Sequence, residues 1–158
     1  MPPIEIVISC ETKFIILLIT WIITCLGWYV SNNHAKSREL RKEHRSIIDD
    51  LGSRLDNLLD DVNVYYGTTE KIEPNLTLKI RSHFNRITGL VERLESIEEN
   101  NQKLYKKLTK LFEAVTGDDF ESANVKRGLE CSEKCQKIML IAEQLRDESE
   151  NWFNKLYN

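Results

Sequence analysis

Seventeen consecutive residues, Phe14 to Val30 (FIILLITWIITCLGWYV), carry no charge, no proline and a single glycine, Gly27. As a helix rising about 1.5 Å per residue the run is roughly 26 Å long, and Ile8, Cys10 and Ser31 beside it extend it towards the roughly 30 Å of a bilayer core. Trp21 lies inside the run. Trp28 and Tyr29 lie at its end, the depth at which amphipathic rings favour the headgroup layer. These residues predict a membrane-spanning helix over 14–30; the competing reading, a helix buried in a soluble core, would not need the aromatic end.

The flanks orient the span. Glu5, Glu11 and Lys13 precede it, whereas Lys36, Arg38, Arg41, Lys42 and Arg45 follow it against Glu39 and Glu43. Positive charge favours the cytoplasmic side, so residues 1–13 are expected outside as a short tail and residues 31–158 inside. A cleavable leader would carry its positive charge before the apolar run and small residues after it. SNNHAK follows instead, so the helix is read as an uncleaved anchor. The juxtamembrane cations are expected to attract anionic headgroups, at about 1 kcal/mol each near the surface. Thr20, Thr24 and Gly27 share one face of the span, where small residues permit helices to approach in lipid.

Without residues 1–30 the chain keeps 21 basic and 23 acidic residues, a near-neutral balance that does not point to general nucleic-acid binding. Some 128 residues suffice for one domain with its own core. Three prolines, two of them at positions 2 and 3, leave helices free to run long. After a short polar exit at Ser31 to Asn33, a helix is expected over Arg38–Tyr66. Its apolar stripe is Leu40, Ile47, Leu51, Leu55, Leu58, Val62 and Tyr65, with His44 packed in the same face and Gly67 as a left-handed cap. A second helix is expected from Pro74 to Thr116, with the stripe Ile80, Phe84, Ile87, Val91, Leu94, Ile97, Leu104, Leu108, Leu111 and Val115, interrupted by Asn101. A stripe of that length asks for a partner chain or two neighbours, and Asn101 would set its register. A third helix, capped by Asp118 or Asp119, is expected to run nearly to Asn158 on Cys131, Cys135, Ile138, Ala142, Leu145, Trp152 and Leu156, widened by Met139 and Phe153. The fold class is therefore all-α: one N-terminal transmembrane helix followed by a cytoplasmic bundle of three long helices.

No residue pattern names a reaction. Cys131 and Cys135 share a face but lack the further ligands of a zinc site, and His34, His44 and His83 sit in no nucleophilic arrangement, so no catalytic residue, metal or cofactor is expected. Asn75-Leu76-Thr77 spells a glycosylation acceptor that would be inert in the cytoplasm. The suggestive group is Lys79, His83 and Arg86, at i, i+4 and i+7, with Arg81 and Asn85 nearby. It occupies the first turns of the second helix, where free amides favour an anion. Tyr65 and Tyr66 end the preceding helix, close enough through a short loop to add two rings. Cations beside rings suit a ligand with phosphates and bases; the bland alternative is a solvated face with Tyr65 in the core.

One membrane helix, a short basic exit and an all-helical domain of about 120 residues resemble, in layout, the membrane-anchored effectors of type III CRISPR defence that bind cyclic tetra-adenylate. The resemblance implies a homotetramer whose cytoplasmic domain binds the cyclic nucleotide and passes a change to the membrane helices, disturbing the membrane. Four-fold symmetry would let one stripe meet each phosphate in turn. The alternative is a non-enzymatic, membrane-anchored helical scaffold that binds a partner protein. A phage spanin with an external coiled coil conflicts with the charge asymmetry.

Overall fold

In the computed structural model the described residues are 10–68, 74–97, 102–117, 120–122 and 128–157. They form four α-helices, α1 (Cys10–Gly67), α2 (Pro74–Glu95), α3 (Lys103–Thr116) and α4 (Ser132–Tyr157), with a 3-10 turn at Gly128–Cys131 and no strand among them. The chain divides into two units, one ending at Lys42 and one beginning at Glu43.

The first unit is the leading part of α1. The side chains of Phe14 to Val30 are exposed on every face of the helix, as a lipid-facing segment requires, and this helix is long and apolar enough to cross a membrane. Thr20 and Thr24 donate their hydroxyls to the carbonyls of Ile16 and Thr20, both at 2.8 Å, so neither hydroxyl is left unsatisfied in an apolar surrounding. The expected polar exit at Ser31 to Asn33 is not a break: α1 passes through it as regular helix. These residues cost only tenths of a kcal/mol each relative to alanine. The next turn is braced by Ser37 and Arg38, which donate to the carbonyls of Asn33 and His34. A continuous helix carries Arg38, Arg41 and Lys42 roughly 12–18 Å along its axis from Val30. At about 100° per residue those three share an arc of about 100°, and Glu39 and Glu43 follow it round the helix.

The second unit is a bundle of four helical segments: the rest of α1, then α2, α3 and α4. One core joins them. α1 contributes Ile48, Leu51, Leu55, Leu58, Val62, Tyr65 and Tyr66; α2 Ile80, Phe84, Ile87, Leu90, Val91 and Leu94; α3 Leu104, Leu108, Leu111 and Val115; α4 Ile138, Ala142, Leu145, Trp152 and Phe153. Cross-helix bonds set the direction of α4 against α1. Tyr157 meets His44, Glu150 meets Arg45, and Arg146 meets Gly52 and Asp56, an antiparallel pairing.

Several expectations are corrected here. The long second helix is two helices: α2 stops at Glu95, Ser96 and Ile97 turn, and α3 begins at Lys103. Ile97, expected in the stripe, is exposed. In one unbroken helix Leu94 and Leu104 would lie about 80° apart, whereas folding back puts both in the core. Asn101 lies outside the described residues, as do Asp118, Asp119 and residues 1–9. The bundle therefore has four members where three were expected. Gly67 is still helical; among the described glycines only Gly128 has a positive φ, 78°. Gly117 closes α3 in extended conformation, φ −69° and ψ 163°, with its N–H donating to the Glu113 carbonyl at 2.8 Å. In α4 the expected Met139 and Leu156 are exposed and Ser149 is buried in the core face. Its hydroxyl donates to the Arg146 carbonyl at 2.7 Å, so the buried oxygen is satisfied locally. Leu40 is likewise exposed, and Ile48 rather than Ile47 fills the core position.

Candidate functional site

α2 starts at Pro74, where a proline suits the first turn because its missing N–H would be unpaired anyway. From there Lys79, His83 and Arg86 follow one line of the helix, beside the buried Ile80, Phe84 and Ile87. The four candidate cations have separate fates. Arg81 donates to the carboxylate of Glu121 at 2.5 Å. His83 is half-buried, its Nε2 3.2 Å from Oδ2 of Asp61 on α1, while its Nδ1 is buried with no hydrogen-bond partner. Lys79 and Arg86 are exposed and make no ion pair among the described residues. Arg81 and His83 thus tie α2 to neighbouring elements, and only Lys79 and Arg86 face outward uncommitted.

The two tyrosines are not beside those cations at the surface. Tyr65 and Tyr66 are each 1% exposed and pack edge to face, centroids 4.9 Å apart. Tyr66 donates its hydroxyl to the Val115 carbonyl at 2.6 Å, filling an acceptor in the last turn of α3 that no intrahelical N–H can reach. Tyr65 accepts the N–H of Glu121 at 3.0 Å and packs on Phe120. Neither ring offers a face for stacking a ligand, which corrects that part of the expected site. The rings anchor the chain that follows α3 to the end of α1.

At the other end of the bundle His44 is buried, as its place in the stripe implies. Its Nδ1 lies 2.6 Å from the Tyr157 hydroxyl, and its ring lies beside Trp152 and Tyr157. Cys131 is buried and Cys135 half-buried; burial, then the neighbouring Cys131, pushes the Cys135 thiol up from its ordinary range against the opposing pull of Lys134. That shift disfavours the thiolate, the reactive form.

An aromatic surface feature of α3 escaped the sequence reading. α3 buries Leu104, Leu108, Leu111 and Val115, and one position round from that face it exposes Tyr105 (48%) and Phe112 (47%), two turns apart. Phe112 stands edge to face on the buried Phe84 of α2, centroids 5.1 Å apart. Near Tyr105, its own backbone N–H is bonded to Glu95 at 2.9 Å. Both aromatics are therefore held on rigid helix along the α2 side of α3. The available signal was the pair Leu104-Tyr105 and Leu111-Phe112, an aromatic repeating seven residues apart just after a core leucine.

Compared with known protein families, curated proteins and solved structures, the chain finds no match in any of the three.

Proposed function

We propose that this chain is a single-pass membrane protein whose helical domain acts, without chemistry of its own, as a docking scaffold for a partner protein. The observation that carries the reading is the pair Tyr105 and Phe112, half-exposed aromatic rings fixed on α3 outside the core. Large rings with few rotatable bonds lose little entropy on docking and dominate interface energies when a partner dehydrates them. The membrane side rests on the apolar leading part of α1, and the basic Lys36 to Arg45 segment favours a cytoplasmic domain by charge asymmetry.

The experiment replaces Tyr105 or Phe112 by a photo-crosslinking amino acid in cells, then resolves adducts in the membrane fraction. A discrete heterologous adduct that Phe112→Ser (with the crosslinker at 105) diminishes supports the scaffold; no adduct at either position refutes it. A second reading, the cyclic tetra-adenylate-gated effector acting as a homotetramer, is favoured by one observation, the uncommitted cations Lys79 and Arg86. Its test is the thermal midpoint of the full chain with cyclic tetra-adenylate. A ligand at a hundred times its dissociation constant adds about 2.7 kcal/mol of stability, and Arg86→Ala would abolish the shift if Arg86 holds a phosphate.

A further inference from the structure

The seam between α3 and α4 has a regular antiparallel register. Lys103 faces Glu148 at 4.0 Å, Lys107 donates to Oε1 of Gln144 at 3.0 Å, and at the far end Lys134 donates to the Gly117 carbonyl at 3.3 Å. The same register puts Lys110 opposite Ile141 and Lys137 opposite Ala114. Each outer rung thus matches a lysine with an oxygen. The two middle rungs match a lysine with a hydrocarbon side chain, and there the seam opens into a cavity of about 560 Å³. Lys110, Lys134, Lys137, Glu113 and Glu133 surround it over a floor of Ala114 and Ile141. Lys110 and Lys137 make no ion pair among the described residues, although both border one cavity. Three lysines against two glutamates leave the lining with a net positive charge, which favours an anionic ligand.

The third cation is positioned by the fold. Lys134 lies 4.5 Å above the Tyr66 ring while bonded to the Gly117 carbonyl. Only glycine fits at 117, because a Cβ there would collide with the carbonyl oxygen of Glu113. Its ammonium carries three donors, so the bond to Gly117 leaves others for a ligand. The cavity volume lies within the range of small-molecule pockets.

We propose that this cleft binds a small phosphate-bearing molecule, with Lys110 and Lys137 gripping the phosphate from the two helices, Lys134 closing one end, and Glu113 and Glu133 accepting from hydroxyl or amino groups of the same molecule. Lysine ammoniums serve phosphate as compact point charges, and the two carboxylates discriminate against a bare polyanion. The site is independent of the aromatic face of α3. The test uses the full chain in phosphatidylcholine nanodiscs, which carry no anionic lipid, titrated calorimetrically with AMP and separately with inorganic pyrophosphate. AMP is expected to bind saturably with a dissociation constant below about 1 mM, and Lys110→Gln with Lys137→Gln together to weaken it by at least about tenfold. Both positions are exposed, so the thermal midpoint of the double variant is expected to stay at the parent value. Lys79→Gln with Arg86→Gln serves as the control and is expected to leave AMP affinity unchanged. No saturable binding of AMP, pyrophosphate bound more tightly than AMP, binding unaltered in the Lys110/Lys137 double variant, or loss confined to the α2 control each overturns the proposal.

Discussion

Tyr66→Phe removes one oxygen atom from the interior and little else. The ring stays, so its edge-to-face contact with Tyr65 and the ammonium of Lys134 4.5 Å above it are retained. What disappears is the 2.6 Å bond to the Val115 carbonyl. Val115 is fully buried and Tyr66 nearly so, so water has no route to replace the hydroxyl. An acceptor stranded in this way costs about 1–3 kcal/mol, rather than the smaller net worth of an exchangeable hydrogen bond. For the 116 residues from Glu43 to Asn158, each kcal/mol corresponds to roughly 4 °C in the midpoint, between the values for smaller and larger domains. The expected fall is therefore about 4–12 °C, measured by far-UV circular dichroism on the detergent-solubilised chain. The upper part of that range applies if the end of α3 cannot relax. A fall of less than about 1 °C would refute the claim that Val115 depends on this donor, because the stranded carbonyl would then have found another partner.

Three further outcomes follow from the same geometry. Ile22→Arg puts a charge at the centre of the apolar run at a cost of about 3 kcal/mol for insertion, so the carbonate-resistant membrane fraction should drop; full retention would argue against a span. Cys135 should alkylate more slowly than an unfolded thiol at pH 8. Because its folded-state pKa is raised, the stabilisation is complete below the unfolded value of about 8.5 and is lost as pH rises through the folded one, so the alkaline loss of stability should be shallower in Cys135→Ala. An identical slope would remove burial of the thiol as its cause. Arg146 touches Asp56, Glu143 and the Gly52 carbonyl, yet its side chain is 33% exposed; Arg146→Gln should cost no more than about 1 kcal/mol, and a loss several times larger would show that α1 and α4 depend on this one cation.

The helical class and most of the core were legible because leucine and isoleucine at spacings of three and four leave little choice of face. Leu51, Leu55, Leu58 and Val62 were read correctly on that basis. Two kinds of information were not in the periodicity. The first is whether a helix stops. Ser31 to Asn33 looked like an exit but cost too little to break α1, whereas the phase slip between Leu94 and Leu104 was the true sign of a turn, readable only by counting angle rather than spacing. The second is satisfaction of polar groups by tertiary partners. Ser149 was passed over because a serine reads as surface, although its hydroxyl closes on its own helix.

Residues of the candidate sites were misread for the same reason. Tyr65 was placed both in the buried stripe and beside the cations, and only the first of these holds; the partners that draw Tyr65 and Tyr66 inward, Glu121 and Val115, lie about fifty residues along the chain. Lys110 looked like one more solvated lysine in LYKKLTKLFEAV. Its environment depends on the register that α4 adopts after the connection from Gly117, and a shift of α4 by one turn would bring Gln144 opposite Lys110 in place of Ile141. At the end of that cleft the Gly117 carbonyl holds Lys134 in place, at a position where a Cβ would collide with the Glu113 carbonyl oxygen. A substitution at Gly117 should consequently disturb the cleft while leaving Tyr105 and Phe112 in place on α3, which separates the phosphate site from the docking face experimentally.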